Sequence, residues 1–217
     1  MVAKAWGLLA EYLLEGNADD SSGSGLNGVV SGAVLAAGRF GQGYSFDGAD
    51  DQVTVARNVI QEPANITVAA WIYPLAGYGE VAPKIVSKLA LVPLKGYDFF
   101  ITPATGILSW SLVLGADVAA TTIVSAAAIT TDAWSHVIGT YDGATMNLFV
   151  NGALSATQGG LSGNIAHATA VNMGIGCIAA ATTRTFKGVI DSVTIWNRAL
   201  PIGEGKQARS GFIHGGM

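Results

Sequence analysis

The sequence predicts an all-β fold, a sandwich or jelly roll of antiparallel strands. Three observations carry that expectation. Short stretches alternate apolar and polar residues with a period of two; turn formers recur about every ten residues; and the dipeptides Asp142-Gly143 and Asn151-Gly152 bracket one such stretch. Asp-Gly and Asn-Gly supply the positive φ angles that tight hairpins need, so Trp134–Tyr141, Met146–Val150 and Leu154–Thr157 are read as three consecutive antiparallel strands. This meander is expected at the centre of a sheet.

In chain order, the opening strand lies within Trp6–Leu14, with Leu8, Ala10, Tyr12 and Leu14 on one side. Residues 15–28 form a loop rich in glycine and in oxygen donors, among them Asn17, Asp19 and Asp20. The glycine-spaced segment 38–48 leads through the Asp47-Gly48 turn into a strand at Gln52–Ala56. Asn65–Tyr73 is apolar on both faces, with Ile66, Val68, Ala70 and Ile72 on one and Thr67, Trp71 and Tyr73 on the other, as in a central strand that Pro74 ends. Further strands are expected at Lys84–Lys88, Tyr97–Thr102, Gly106–Leu114, within Ala119–Thr131, and at Val171–Ile178. The last is Phe186–Asn197, where period two places Val189, Asp191, Val193 and Ile195 together and turns the Asp191 carboxylate toward the interior.

Composition narrows the function classes. Only 12% of the 217 residues are charged against an apolar share of 50%, a surface poor in charge of the kind that subunits cover, although Ala and Gly swell the apolar count. A net charge of −4 with scattered Lys and Arg offers no stripe for phosphates, so nucleic acid is not an expected partner. Cys177 stands alone, which excludes an intrachain disulfide and reads as a small buried apolar residue. The first residues do not form a convincing signal peptide, and no apolar stretch is continuous enough for a transmembrane segment. One domain over 1–200 and a tail over 201–217 are expected.

Five segments in order, GLLAEYLLEGNADDSSGSGLNG, GRFGQGYSFDGADDQVTV, ITVAAWIYP, AWSHVIGTYDGATMNLFVNGAL and FKGVIDSVTIWNRAL, make the chain from Gly7 to Leu200 resemble laminin-G-like domains of the concanavalin A-like lectin/glucanase superfamily. The resemblance implies a two-sheet antiparallel jelly roll with one concave face. It also implies a structural calcium ion (Ca2+) tying the N-terminal loop to the last strand, with Asp191, the Asp47-Gly48 turn, Asn17 and Asp20 as candidate ligands. Calcium takes six to eight oxygens, and a carboxylate on an apolar face needs compensation; hydrogen bonds from turn amides are the alternative for Asp191.

The resemblance also frames catalysis. Related glucanases carry alternate carboxylates on one strand, about 5 Å apart. Here the glutamates are Glu11, Glu15, Glu62, Glu80 and Glu204, and no such strand exists; nor do His136, His167 and His214 show zinc spacing. A non-enzymatic protein is expected. Two functions remain. One is a binding module for a cell-surface or extracellular glycan, with Trp71, Tyr73, Tyr78 and Trp110 as candidate platforms; for Trp71 and Trp110 the competing reading is core packing. The other is a decoration or attachment protein on a phage virion surface, partnered by other subunits or by copies of itself, toward which the resemblance to phage structural proteins leans.

Overall fold

The structure is a computed structural model that describes residues 6–77, 81–116, 119–179 and 184–201. The 201–217 tail expectation therefore lies almost wholly outside the described residues. Within them the chain forms fifteen strands: β1 (Leu8–Tyr12), β2 (Gly28–Ser31), β3 (Val34–Ala37), β4 (Gln42–Asp47), β5 (Gln52–Val55), β6 (Ile66–Pro74), β7 (Lys84–Leu91), β8 (Leu94–Thr102), β9 (Ile107–Leu112), β10 (Thr121–Ala128), β11 (Ser135–Tyr141), β12 (Met146–Val150), β13 (Ala153–Gln158), β14 (Met173–Ile175) and β15 (Lys187–Trp196). All pairings are antiparallel.

Two sheets enclose one core. Sheet A runs β13-β12-β11-β6-β15-β4-β3, with β1 also paired to β15; sheet B runs β10-β9-β8-β7-β14-β5-β2. The last strand is thus central. Its first half pairs with β4 and its second half with β1, while β6 flanks it on the other side. The meander forms as the two dipeptides require: Asn151 and Gly152 sit at φ 51° and 80°, and the Asn151 amide oxygen accepts the His136 N–H at 2.9 Å. Its place differs from expectation, because β13 is the edge of sheet A and the middle is held by β6 and β15. Turn chemistry dictates the hairpins but says nothing about which strand closes the sheet from a distance.

Between the sheets, Tyr97, Phe99 and Trp110 of sheet B face Val68, Ala70, Val137 and Tyr141 of sheet A, all fully buried. The sheets approach closely at Gly139, where a Cβ would stand 2.5 Å from the Trp110 indole, so this inward position on β11 admits no side chain. The indole N–H donates to the Thr140 carbonyl at 3.3 Å, and the Tyr12 and Tyr141 hydroxyls donate to the Leu26 and Gly163 carbonyls at 2.8 and 2.7 Å. Buried polar tips are thereby satisfied while the rings fill the core. Cys177 is fully buried, and burial pushes its thiol up to about 12, consistent with an unreactive packing role.

Candidate functional site

The outward face of sheet A is assembled where three neighbouring strands meet. β6 sends Ile66, Val68, Ala70 and Ile72 into the core, so Trp71 and Tyr73 stand on the opposite face. Register then places His136 of β11 on one side of Trp71 and Asp191 of β15 on the other. The Trp71 and His136 rings lie 5.0 Å apart. The turn between β3 and β4 folds over this row: the Phe40 ring meets Trp71 edge-on at 5.7 Å, and the Arg39 guanidinium carbon lies 4.9 Å from the centre of the Trp71 ring. Trp71 is left 2% exposed, covered by its own turn.

Asp191 corrects the alternation read from the sequence. Ile190 faces the core; a β-bulge between Asp191 and Thr194, with Ser192 at φ 48°, then resets the phase so that Val193 and Ile195 face the core as well. Asp191 therefore points outward, yet it is fully buried because the 38–41 turn closes on it. Its carboxylate accepts the Phe40 N–H and the Ser192 hydroxyl, each at 2.9 Å. Burial pushes its pKa up, and these bonds oppose the shift. The fit is close: a Cβ on Gly38 would lie 2.3 Å from the Gln42 carbonyl oxygen and 2.8 Å from the Asp191 carboxylate.

The residues expected to share one calcium ion are not brought together. Asp47 pairs with Lys187, four residues before Asp191 on β15, or about 13 Å at ordinary strand rise. Asp20 lies across β1 from β15, and its two oxygens accept the amides of Glu11, Ser22 and Leu26 at 3.1, 2.9 and 3.1 Å. Burial raises its pKa, but the Ser22 hydroxyl and these three amides outweigh that and hold it below the ordinary value. Asn17 accepts the Asp19 amide at 3.0 Å within its own loop. These residues do not fit one cage. At the Asp47-Gly48 turn, however, Asp47, Asp50 and Asp51 each place a carboxylate oxygen within 4.8 Å of the others. The Asp51 carboxylate is pushed up by burial and by its two acidic neighbours, while accepting the Asp47 amide at 2.8 Å.

Of the aromatic candidates, Tyr73 is half-buried and lies 5.5 Å from the equally half-buried Trp134, the two rings sharing the outward face beside Trp71. Trp134 was not among the expected platforms, although its step of two before His136 puts it on the same face. Trp110 stands in the other sheet and points into the core, 0% exposed, so the core reading holds for it. Tyr78 lies outside the described residues.

The outward face of sheet B carries a transverse polar row, Thr122, Ser111, Asp98, Ser87, Gly174 and Thr54, set by the register of six neighbouring strands. Its carboxylate is committed: Lys84 forms a buried ion pair with Asp98 and sits 4.1 Å from the Phe100 ring centre. Burial pushes the Asp98 carboxyl up and the Lys84 ammonium down, and each partner opposes the other's shift. The Cys177 loop crosses the row, so that a Cβ on Gly174 would lie 2.5 Å from the Cys177 carbonyl oxygen.

Residues 47–204 match the family model described as the concanavalin A-like lectin/glucanases superfamily. No curated protein matches the chain in sequence. Among solved structures it is similar to the binding domain of Paraclostridial Mosquitocidal Protein 1, with a TM-score of 0.74 and 17% identity over 93% of this chain and 51% of that one. It is also similar to domain 4 of AbnA, an extracellular arabinanase from Geobacillus stearothermophilus solved with arabinotriose, with a TM-score of 0.73 and 17% identity over 93% of this chain and 98% of that one. A third is the ligand binding domain of botulinum neurotoxin serotype D in complex with N-acetylneuraminic acid, with a TM-score of 0.70 and 16% identity over 94% and 51%. The chain spans about half the length of the two toxin binding domains and nearly all of the arabinanase domain. No helix among the described residues is long and apolar enough to cross a membrane.

The Asp20 geometry makes a signed prediction. A carboxylate held below its ordinary value contributes stability that is fully present above pH 3.8 and is lost as pH falls through its folded value. Asp20→Asn should lower unfolding stability near neutral pH by about 1–2 kcal/mol, the figure being discounted for partial exposure. In urea titrations the gap to the wild type should close on acidification below pH 3.8; a gap independent of pH would refute the charged role.

Proposed function

Because the chain belongs to the concanavalin A-like lectin/glucanase superfamily, we propose that it is a non-catalytic glycan-binding protein whose site is the outward face of sheet A. The observation that carries this reading is the pair of half-buried rings, Tyr73 and Trp134, held 5.5 Å apart beside the rigid Trp71 row. Such rings offer flat apolar area to the C–H faces of a sugar, and the strands beneath fix them at little entropic cost. The structures of similar fold in complex with arabinotriose and with N-acetylneuraminic acid support a carbohydrate as ligand. The non-catalytic part is supported by the state of the two buried outward carboxylates, Asp98 and Asp191. Asp98 is spent on Lys84, and Asp191 on the turn it holds.

A glycan array followed by calorimetric titration tests this. Tyr73→Ala or Trp134→Ala should weaken binding roughly tenfold or more, in line with the loss of a stacked ring, while the circular dichroism spectrum stays unchanged. Binding unaffected by either substitution would move the site elsewhere.

One observation favours assembly with neighbouring subunits, as on a virion surface, as the setting for that binding. The edge strands β3 and β2 lie at the same end of the two sheets, and Val29, Val34 and Leu35 on them are 67%, 62% and 43% exposed. Open strand edges bearing apolar residues are joined by neighbouring subunits. Light scattering should show mass rising with concentration, and Val34→Lys with Leu35→Lys should return the monomer; a monomer at all concentrations with no bound partner would remove this setting.

Calcium enters the proposal only at the turn of Asp47, Asp50 and Asp51. If the ion contributes there, excess chelator lowers the melting midpoint of the wild type and leaves Asp50→Asn unmoved; equal midpoints for the wild type with and without chelator would dismiss it.

A further inference from the structure

The Tyr73–Trp134 face has a cationic flank, and we propose that it makes the site selective for acidic sugars, glycans bearing a carboxylate, with Arg39 as the carboxylate-binding residue. This rests on the glycan-binding reading and specifies its ligand class.

Arg39 is exposed at the tip of the β3–β4 turn, with its guanidinium carbon 4.9 Å from the Trp71 ring centre and 5.2 Å from that of Phe40. Among the described residues no carboxylate lies within ion-pairing distance of it. A guanidinium held over rings rather than by a counter-ion keeps its in-plane N–H edge available, and that planar fork matches a carboxylate bidentately. The turn beneath it is fixed: the Asp191 carboxylate accepts the Phe40 amide at 2.9 Å, and Glu15 accepts the Gln42 amide at 3.0 Å. The fork is thus pre-positioned, which lowers the entropy lost on binding.

Distance suits a single sugar unit. Trp71 and Tyr73 are two residues apart on one face of β6, about 6.6 Å at ordinary strand rise. A pyranose resting on Tyr73 and Trp134 therefore brings a ring carboxylate within reach of a side chain seated above Trp71. Lys187, two residues from Val189, the cross-strand partner of Tyr73, adds a second partly exposed cation on the same face. Of the acidic groups around this face, Asp47 opposite Lys187 and the exposed Asp132 near Trp134 lie toward the Lys187 end, while at the Arg39 end Asp191 and Glu15 are engaged by the Phe40 and Gln42 amides of the turn.

The test uses the full chain and paired probes: sialyllactose against lactose, and oligogalacturonate against its methyl ester, by calorimetry at low and high salt. The acidic member of at least one pair should bind about tenfold more tightly at low salt, a preference that salt erodes. Arg39→Gln should abolish the preference and leave the weaker neutral binding in place, and Arg39→Lys should recover only part of it, because an ammonium lacks the fork. Tryptophan fluorescence and melting midpoint report whether the turn stays closed in each variant. Equal affinity for acidic and neutral members, or an acidic preference unchanged in Arg39→Gln with the turn closed, overturns this inference while glycan binding stands. Binding of none of the probes or array glycans overturns both.

Discussion

The fully buried carboxylate of Asp191 holds the place where β15 changes partner, from β4 to β1. A strand that serves two neighbours in succession needs a break in phase, and the bulge with Ser192 at positive φ supplies it. The break would leave polar backbone and one acidic side chain stranded on an apolar sheet face. Asp191 resolves both by accepting the Phe40 amide and the Ser192 hydroxyl, which draws the β3–β4 turn onto the sheet. The cover over Trp71 and the placing of Arg39 follow from that one anchoring.

The two outward faces illustrate how the same sandwich divides labour. On sheet B the acidic residue of the polar row is neutralised internally by Lys84, and the Cys177 loop lies across part of the row. On sheet A Asp191 is consumed by a turn that also covers Trp71, and Tyr73 and Trp134 on the same face stay half-buried. Asp98 and Asp191 are thus both engaged, and among the described residues the half-buried Tyr73–Trp134 ring pair lies on sheet A.

Much of this was legible from the chain, and the exceptions share a cause. Alternation read off β6 put Trp71 and Tyr73 together outward, and the Asn151-Gly152 and Asp142-Gly143 dipeptides located three strands to within a residue or two. Strands β2, β3 and β4 escaped because they are short, lie in glycine-rich sequence, and in β2 and β3 keep apolar residues exposed, so no burial pattern marks them. Asp191 was singled out correctly as a buried acid but given the wrong face, since strict period two cannot anticipate a bulge. Trp110 could be read from sequence either as a platform or as a core residue; Ser109 and Ser111 face outward, and the indole between them fills the space that Gly139 leaves empty. Trp134 could have been found by stepping two residues back from His136.

The central position of β15 has a consequence for biosynthesis. Strands β1, β4 and β6 are made early, yet each must wait for residues 187–196 before that edge finds its partner. Until then the nascent chain exposes unpaired amides beside an apolar β6, so sheet A closes only once β15 has been made, and chains cut short before it would leave those edges open to intermolecular pairing.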